Sequence, residues 1–298
     1  MELPLRGVFS GVLLTLLSFS CAKTSKAQEK IGVTEITSNV LVFATSAGNV
    51  IACVGPDGAL LIGLPSAAST PQISDILARR TKSSVRYVVI AAEDPSQSEG
   101  DAGWGKRGAF VAMQENALQR IGGHVMGPPE PLPGRLVKLG VDRPRVAFSE
   151  VLTFDLNGEA IHGVRQTPGY SDADALFHFH RAKLVYFGET FPGDGYPRID
   201  GQRGGTVAGL LKTLGGWTDS NFHVVPARGK VVTGSELKDF VVMVTTVRDR
   251  VQEMMKSGLS EEEIVAKHPT VEYNEIWGHG RIQPDTFVRD VCRSLKEH

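Results

Sequence analysis

His178 and His180 lie two apart in Ala175-Leu-Phe-His-Phe-His180, so on a strand both imidazoles point to one face and could share a metal. Phe177 and Phe179 would then fill the opposite face, which makes the histidines read more simply as the solvent side of a half-buried hairpin. His223, His268 and His279 have no partner at a ligating spacing, and Trp277-Gly-His-Gly280 reads as packing. Ser96 or Ser171 as a nucleophile would need a base that the sequence does not place nearby. Gly201-Gln-Arg-Gly-Gly-Thr206 lacks the Gly-Lys-Ser/Thr ending of a phosphate loop; it reads as a tight turn, with Thr206 capping a helix to Leu214. The richest stretch is Tyr87 to Asn116: an apolar strand, a loop carrying Glu93 and Asp94, and a second apolar strand.

Without a gap, that stretch resembles the core of the metallo-β-lactamase superfamily. There a strand ends in Thr-His-x-His-x-Asp-His and is followed by Gly-Gly-Asn, a short helix and a strand ending Ala-His-Glu-Asn. Asn39 to Phe43, Gly48-Asn49-Val50, Val54 to Ile62, and Tyr196 to Asp200 with Gly204-Gly205 resemble further landmarks of that family in the same order. The likeness covers almost the whole chain after residue 27. It implies an α/β fold, the αββα four-layer sandwich, with C-terminal helices.

On the family's frame the first ligand positions fall on Ala92, Asp94, Ser96 and Gln97, and the later ones on Tyr170, Glu189 and Arg228. No imidazole remains among them, and the supporting aspartate is also gone, since Leu61-Ile62 runs into Gly63. The family's zinc lowers the pKa of a bound water to about 7. The resemblance therefore implies that the zinc site is lost, that no cofactor is expected, and that the usual hydrolysis cannot run. It implies a pseudo-hydrolase that binds a small molecule or a protein in the old groove, through Glu93, Asp94, Tyr170, Asp174, Glu189 and Arg228. The alternative is a hydrolase with a rebuilt hard-ion site on Glu93, Asp94, Asp174 and Glu189, or a metal-free acid–base pair. Arg228 argues against the ion, because a unit-charge pair ~4 Å apart is worth roughly 4 kcal/mol near a surface. Arg228 is expected to replace the metal, pairing with Glu189 or Asp94 under the cover of Tyr170.

The elements that must position these residues follow from pattern. Val40 to Thr45, Asn49 to Val54 and Ala59 to Ile62 read as a meander, with Ser46-Ala-Gly48 and Pro56-Asp-Gly58 as turns. A helix opening at Ser69-Thr-Pro71, capped by Thr70, and a strand from Val85 to Ala91 add a strand–helix–strand unit. Glu150 to Asp155, Glu159 to Gln166, Ala175 to His180 and Leu184 to Phe187 read as strands. Ser235 is expected to cap a helix to Gly258, with Leu237, Phe240, Val241, Val244, Val247, Val251 and Met254 on one stripe; Ser260 and Glu263 form a capping-box pattern.

Of the 298 residues, Met1 to Ala27 have the layout of a signal peptide, leaving 28–298 as one domain whose part from about 235 to 298 is helical. The expectation is an exported protein, periplasmic or secreted, with membrane attachment only through the leader or a lipid on Cys21. A net charge of −1 argues against nucleic acid as a partner. Cys53 and Cys292 read as separate buried thiols rather than a disulfide.

Overall fold

Val40, Val42, Ile51, Leu60 and Ile62 face one core, and Leu41, Phe43, Val50, Ala52 and Leu61 face another, all buried. A sheet built from such strands must be covered on both sides. The computed structural model describes residues 31–63, 66, 68–91, 103–120, 145–218 and 221–296. The leader with Cys21, and the loop positions Ala92, Glu93, Asp94, Ser96 and Gln97, lie outside them.

The first sheet has seven strands in sequence order: β1 (Gly32–Glu35), β2 (Val40–Ala44), β3 (Asn49–Cys53), β4 (Ala59–Gly63), β5 (Val85–Ile90), β6 (Phe110–Gln114) and β7 (Arg145–Phe148). β1 to β4 form an antiparallel meander, and β4 to β7 run parallel. Helix α1 (Thr70–Arg80) provides the crossover from β4 to β5, and α2 (Glu115–Arg120) follows β6. Ile73 and Leu77 of α1 and Leu118 of α2 pack on the outer face of this sheet. Ser69 occupies the N-cap position of α1, one residue before the expected Thr70.

The second sheet has the order β13-β12-β11-β10-β9-β8. β8 (Val151–Leu156) and β9 (Glu159–Arg165) meet at a tight turn, where Asn157 and Gly158 both take positive φ, 56° and 73°. β10 (Ala175–Phe179) and β11 (Leu184–Tyr186) complete the antiparallel run. α3 (Val207–Gly215) crosses to β12 (His223–Val225), which lies parallel to β11, and β13 (Val232–Thr233) closes the edge. Phe177, Phe179, Leu184 and Tyr186 meet β2 to β5 of the first sheet in the central core.

The outer face of the second sheet is covered by α3, α4 (Gly234–Lys256), α5 (Glu261–Ala266) and α7 (Pro284–Lys296), with the short α6 (Asn274–Trp277) between the last two. Leu237, Phe240, Val244, Val247 and Val251 are buried there with Met243, while Val241 and Met254 are half-buried. The layer order is therefore helix, sheet, sheet, helix.

α4 is capped by Thr233, not Ser235. A capping box needs an acid three residues on, and Glu236 serves Thr233, whereas Ser235 would meet Lys238. The box at Ser260 and Glu263 is present. Cys53 and Cys292 are free and buried in different cores.

Candidate functional site

Pro226 to Gly229 form the loop that leaves β12, and Asn49 at the head of β3 holds it. The Asn49 side-chain amide donates to the carbonyls of Pro226 at 2.9 Å and Gly229 at 3.0 Å, and its backbone N–H donates to Ala227 at 2.7 Å. On the other side, Ala227 and Arg228 N–H donate to the carbonyls of Phe191 and Pro192. The loop is thus clamped between the first sheet and the 191–192 segment, and the direction of the Arg228 side chain follows.

Arg228 meets Glu189 with both forks: Nη1 to Oε2 at 3.0 Å and Nη2 to Oε1 at 2.6 Å. Its Nε points toward Asp194, 3.8 Å from Oδ2. The two side chains are only 11% and 18% exposed, so the ion pair is largely desolvated. Glu189 sits in a 3-10 turn, Gly188–Thr190, directly after β11. Beneath the pair the Tyr186 hydroxyl is buried with no hydrogen-bond partner among the described residues. Burial, and then the nearby Glu189 charge, push its pKa above the usual tyrosine range.

Asp174 has a different task. Its carboxylate accepts from the backbone N–H groups of Gly169, Tyr170 and Ser171 at 2.7–2.9 Å, and from the hydroxyls of Ser171 and Thr190. Burial pushes its pKa up to about 6, against the pull of those donors. The residue ties the Gly169–Ser171 loop to the turn that carries Glu189. Gly205 and Gly209 permit the same loop to lie close, since a Cβ at either would collide with the carbonyls of Tyr170 or Pro168.

Tyr170, Glu189 and Arg228 share one cavity of about 200 Å³. Asp94 and the other loop positions fall outside the described residues, so the structure describes only the Tyr170, Asp174, Glu189 and Arg228 portion of the anticipated site. Six further residues of the cavity were not singled out by sequence reasoning as site residues: Pro192, Asp194, Tyr196, Arg198, Arg281 and Ile282. Asn49 was visible as a landmark but not as a tether. A buried asparagine at a strand head was its only local signal.

The residues present do not fit the fold family's zinc. Among the described residues no group of three or more His, Cys, Asp and Glu side chains could hold a metal. Both Glu189 oxygens face the Arg228 guanidinium, and both Asp174 oxygens are occupied by donors, so the described half of the hard-ion set is committed elsewhere.

His178 departs from its solvent-side assignment. It shares a face with Leu176, under the helical layer, and is half-buried against Trp217 and Phe222, with ring centroids 5.1 and 5.6 Å away. His180 is exposed and touches both His178 and His162. Burial, and then the two neighbouring imidazoles, lower the His178 pKa to about 4.

No family model matches the sequence, and no curated protein matches it in sequence. Solved structures do. A metallo-β-lactamase from Pontibacter korlensis superposes with a TM-score of 0.56 at 14% identity, over 72% of this chain and 99% of that one. Metallo-β-lactamase IND-7 gives 0.56 at 11%, over 72% and 98%. The stereoselective inverting sec-alkylsulfatase Pisa1 from Pseudomonas sp. gives 0.61 at 14%, over 88% of this chain but 50% of that longer one. Two helix-covered sheets that pack face to face and match these neighbours over most of the chain give one conclusion: the protein has the metallo-β-lactamase fold.

Proposed function

We propose that this is an exported, non-catalytic protein of the metallo-β-lactamase fold that binds a ligand in the groove above the Arg228–Glu189 pair. One observation carries the reading. Glu189, which by motif order stands where the family has its metal-bridging carboxylate, is held bidentately by Arg228, which stands at a ligand histidine. A guanidinium in that place neutralises the carboxylate without a metal and repels any cation that approaches. The committed oxygens of Asp174 and Glu189 speak against the hard-ion alternative.

Elemental analysis of the dialysed protein, followed by nitrocefin and thioester hydrolysis with zinc, manganese or calcium, tests this. The expected result is no stoichiometric metal and no turnover that a chelator abolishes; either would overturn the reading. Export is tested by the mass of the protein recovered from outside the cytoplasm. Cleavage after Ala27, or a lipid on Cys21, supports it, and an intact Met1 counts against it.

A further inference from the structure

Three guanidiniums and two carboxylates face the cavity among its described residues: Arg198, Arg228 and Arg281 against Glu189 and Asp194. Arg228 pairs with Glu189 through both Nη atoms, while its buried Nε, 3.8 Å from Asp194, makes no hydrogen bond among the described residues. Arg198 lies 3.6 Å from Asp200, but that carboxylate is shared with Arg203 at the same distance. Adding Asp200 and Arg203 therefore leaves the surplus of one positive charge unchanged. The surplus falls on Arg281, whose side chain makes no hydrogen bond or ion pair with any described residue.

The backbone under Arg281 is nevertheless well fixed. Tyr196 N–H donates to the Trp277 carbonyl at 3.2 Å, Gln283 donates to the Gly280 carbonyl at 3.2 Å, and Gly195 and Gly280 pack so closely that a Cβ on either would overlap the other. The fixed backbone holds Arg281, an exposed side chain with no ion pair to a described residue, beside a cavity whose uncharged walls are Tyr170, Tyr196, Pro192 and Ile282. The space is about 200 Å³.

Resting on the groove-binding reading above, we propose that the cavity takes a small organic oxyanion, with Arg281 as its principal charge partner and Arg198 in support. The planar fork of Arg281 suits a carboxylate, sulfonate or phosphonate in two-point contact. The two tyrosine rings, Pro192 and Ile282 suit a short aromatic or aliphatic body.

Calorimetric titration of the full protein with benzoate, benzenesulfonate and phenylphosphonate, set against benzamide and benzylamine, tests the proposal. The anions are expected to bind and the neutral and cationic analogues not to. Arg281→Gln is expected to weaken anion binding by about tenfold or more, with Arg281→Lys recovering part of it. Because Arg281 is exposed and makes no hydrogen bond or ion pair with a described residue, Arg281→Gln should leave the melting temperature unchanged. Equal binding of benzamide, anion binding indifferent to Arg281→Gln, or no anion binding up to about 10 mM would each overturn the proposal. Benzamide or benzylamine bound in this cavity would sink the anion preference while leaving groove binding intact. Failure of the groove reading itself appears elsewhere, as chelator-sensitive turnover.

Discussion

Arg228 and Glu189 illustrate how a largely buried carboxylate is compensated by a guanidinium. At 18% exposure a carboxylate is costly to hold charged, and Arg228 gives Glu189 a bidentate partner. Arg228→Ala is expected to destabilise the protein by about 3 kcal/mol in denaturant melts, because it removes one partner of a largely buried ion pair. Replacing both residues by leucine should cost far less than the two single changes added, and an additive double variant would show that the pair is not coupled. Tyr186 is the contrasting case. Its buried hydroxyl has no partner among the described residues, so Tyr186→Phe removes a desolvated polar group and should be neutral or stabilising by on the order of 1 kcal/mol. A clear loss of stability would mean that the hydroxyl is satisfied.

Between elements, the decisive link is β3 to the loop after β12. Asn49→Ala removes two side-chain hydrogen bonds and should destabilise by about 2 kcal/mol. Since the same loop aims Arg228, the cost of Arg228→Ala should shrink by about 1 kcal/mol in the Asn49→Ala background; strict additivity in chemical denaturation would refute the tether. A second inter-element effect lies where β10 meets the segment after α3. The His178 pKa falls to about 4 in the fold from an ordinary 6.5, so the unfolded chain takes up a proton that the fold refuses. The stability this group contributes is present above about pH 6.5 and is lost as pH falls toward about 4. His178→Gln should therefore melt closer to wild type, or above it, at pH ~4.5 than at pH ~7.5, by about 3 °C, a small figure because the ring is half exposed. Parallel pH profiles for the two proteins would remove the effect.

At the scale of the whole molecule, three apolar clusters and a largely buried ion pair hold the fold together. Neither zinc nor a chelator should move the melting temperature, since a ligand that binds the folded state raises it by mass action and removal of a resident ion lowers it. A zinc-induced upshift beyond about 2 °C would contradict metal replacement by Arg228. The layer arrangement was legible early through the family resemblance, while pattern by itself gave the apolar strands of the meander and the stripe of α4.

Local chemistry alone set much of the architecture. Val40 to Ala44, Asn49 to Cys53 and Ala59 to Gly63 declared themselves through branched residues between turn signals, and Asn157-Gly158 declared its hairpin because few other pairs accept positive φ twice. β12, β13 and β7 stayed hidden, since strands of two to four residues carry too few side chains to show a period. Motif order singled out Glu189 and Arg228. Which partner Arg228 takes, and that Asp174 spans the Gly169–Ser171 loop and the Glu189 turn, depended on loops meeting across the fold. Asn49 and the Pro226 carbonyl it holds are 177 positions apart, and Arg228 and Glu189 are 39 apart. Sequence spacing carries no distance at such ranges. Only the closing of the two sheets brings these groups within reach of a hydrogen bond.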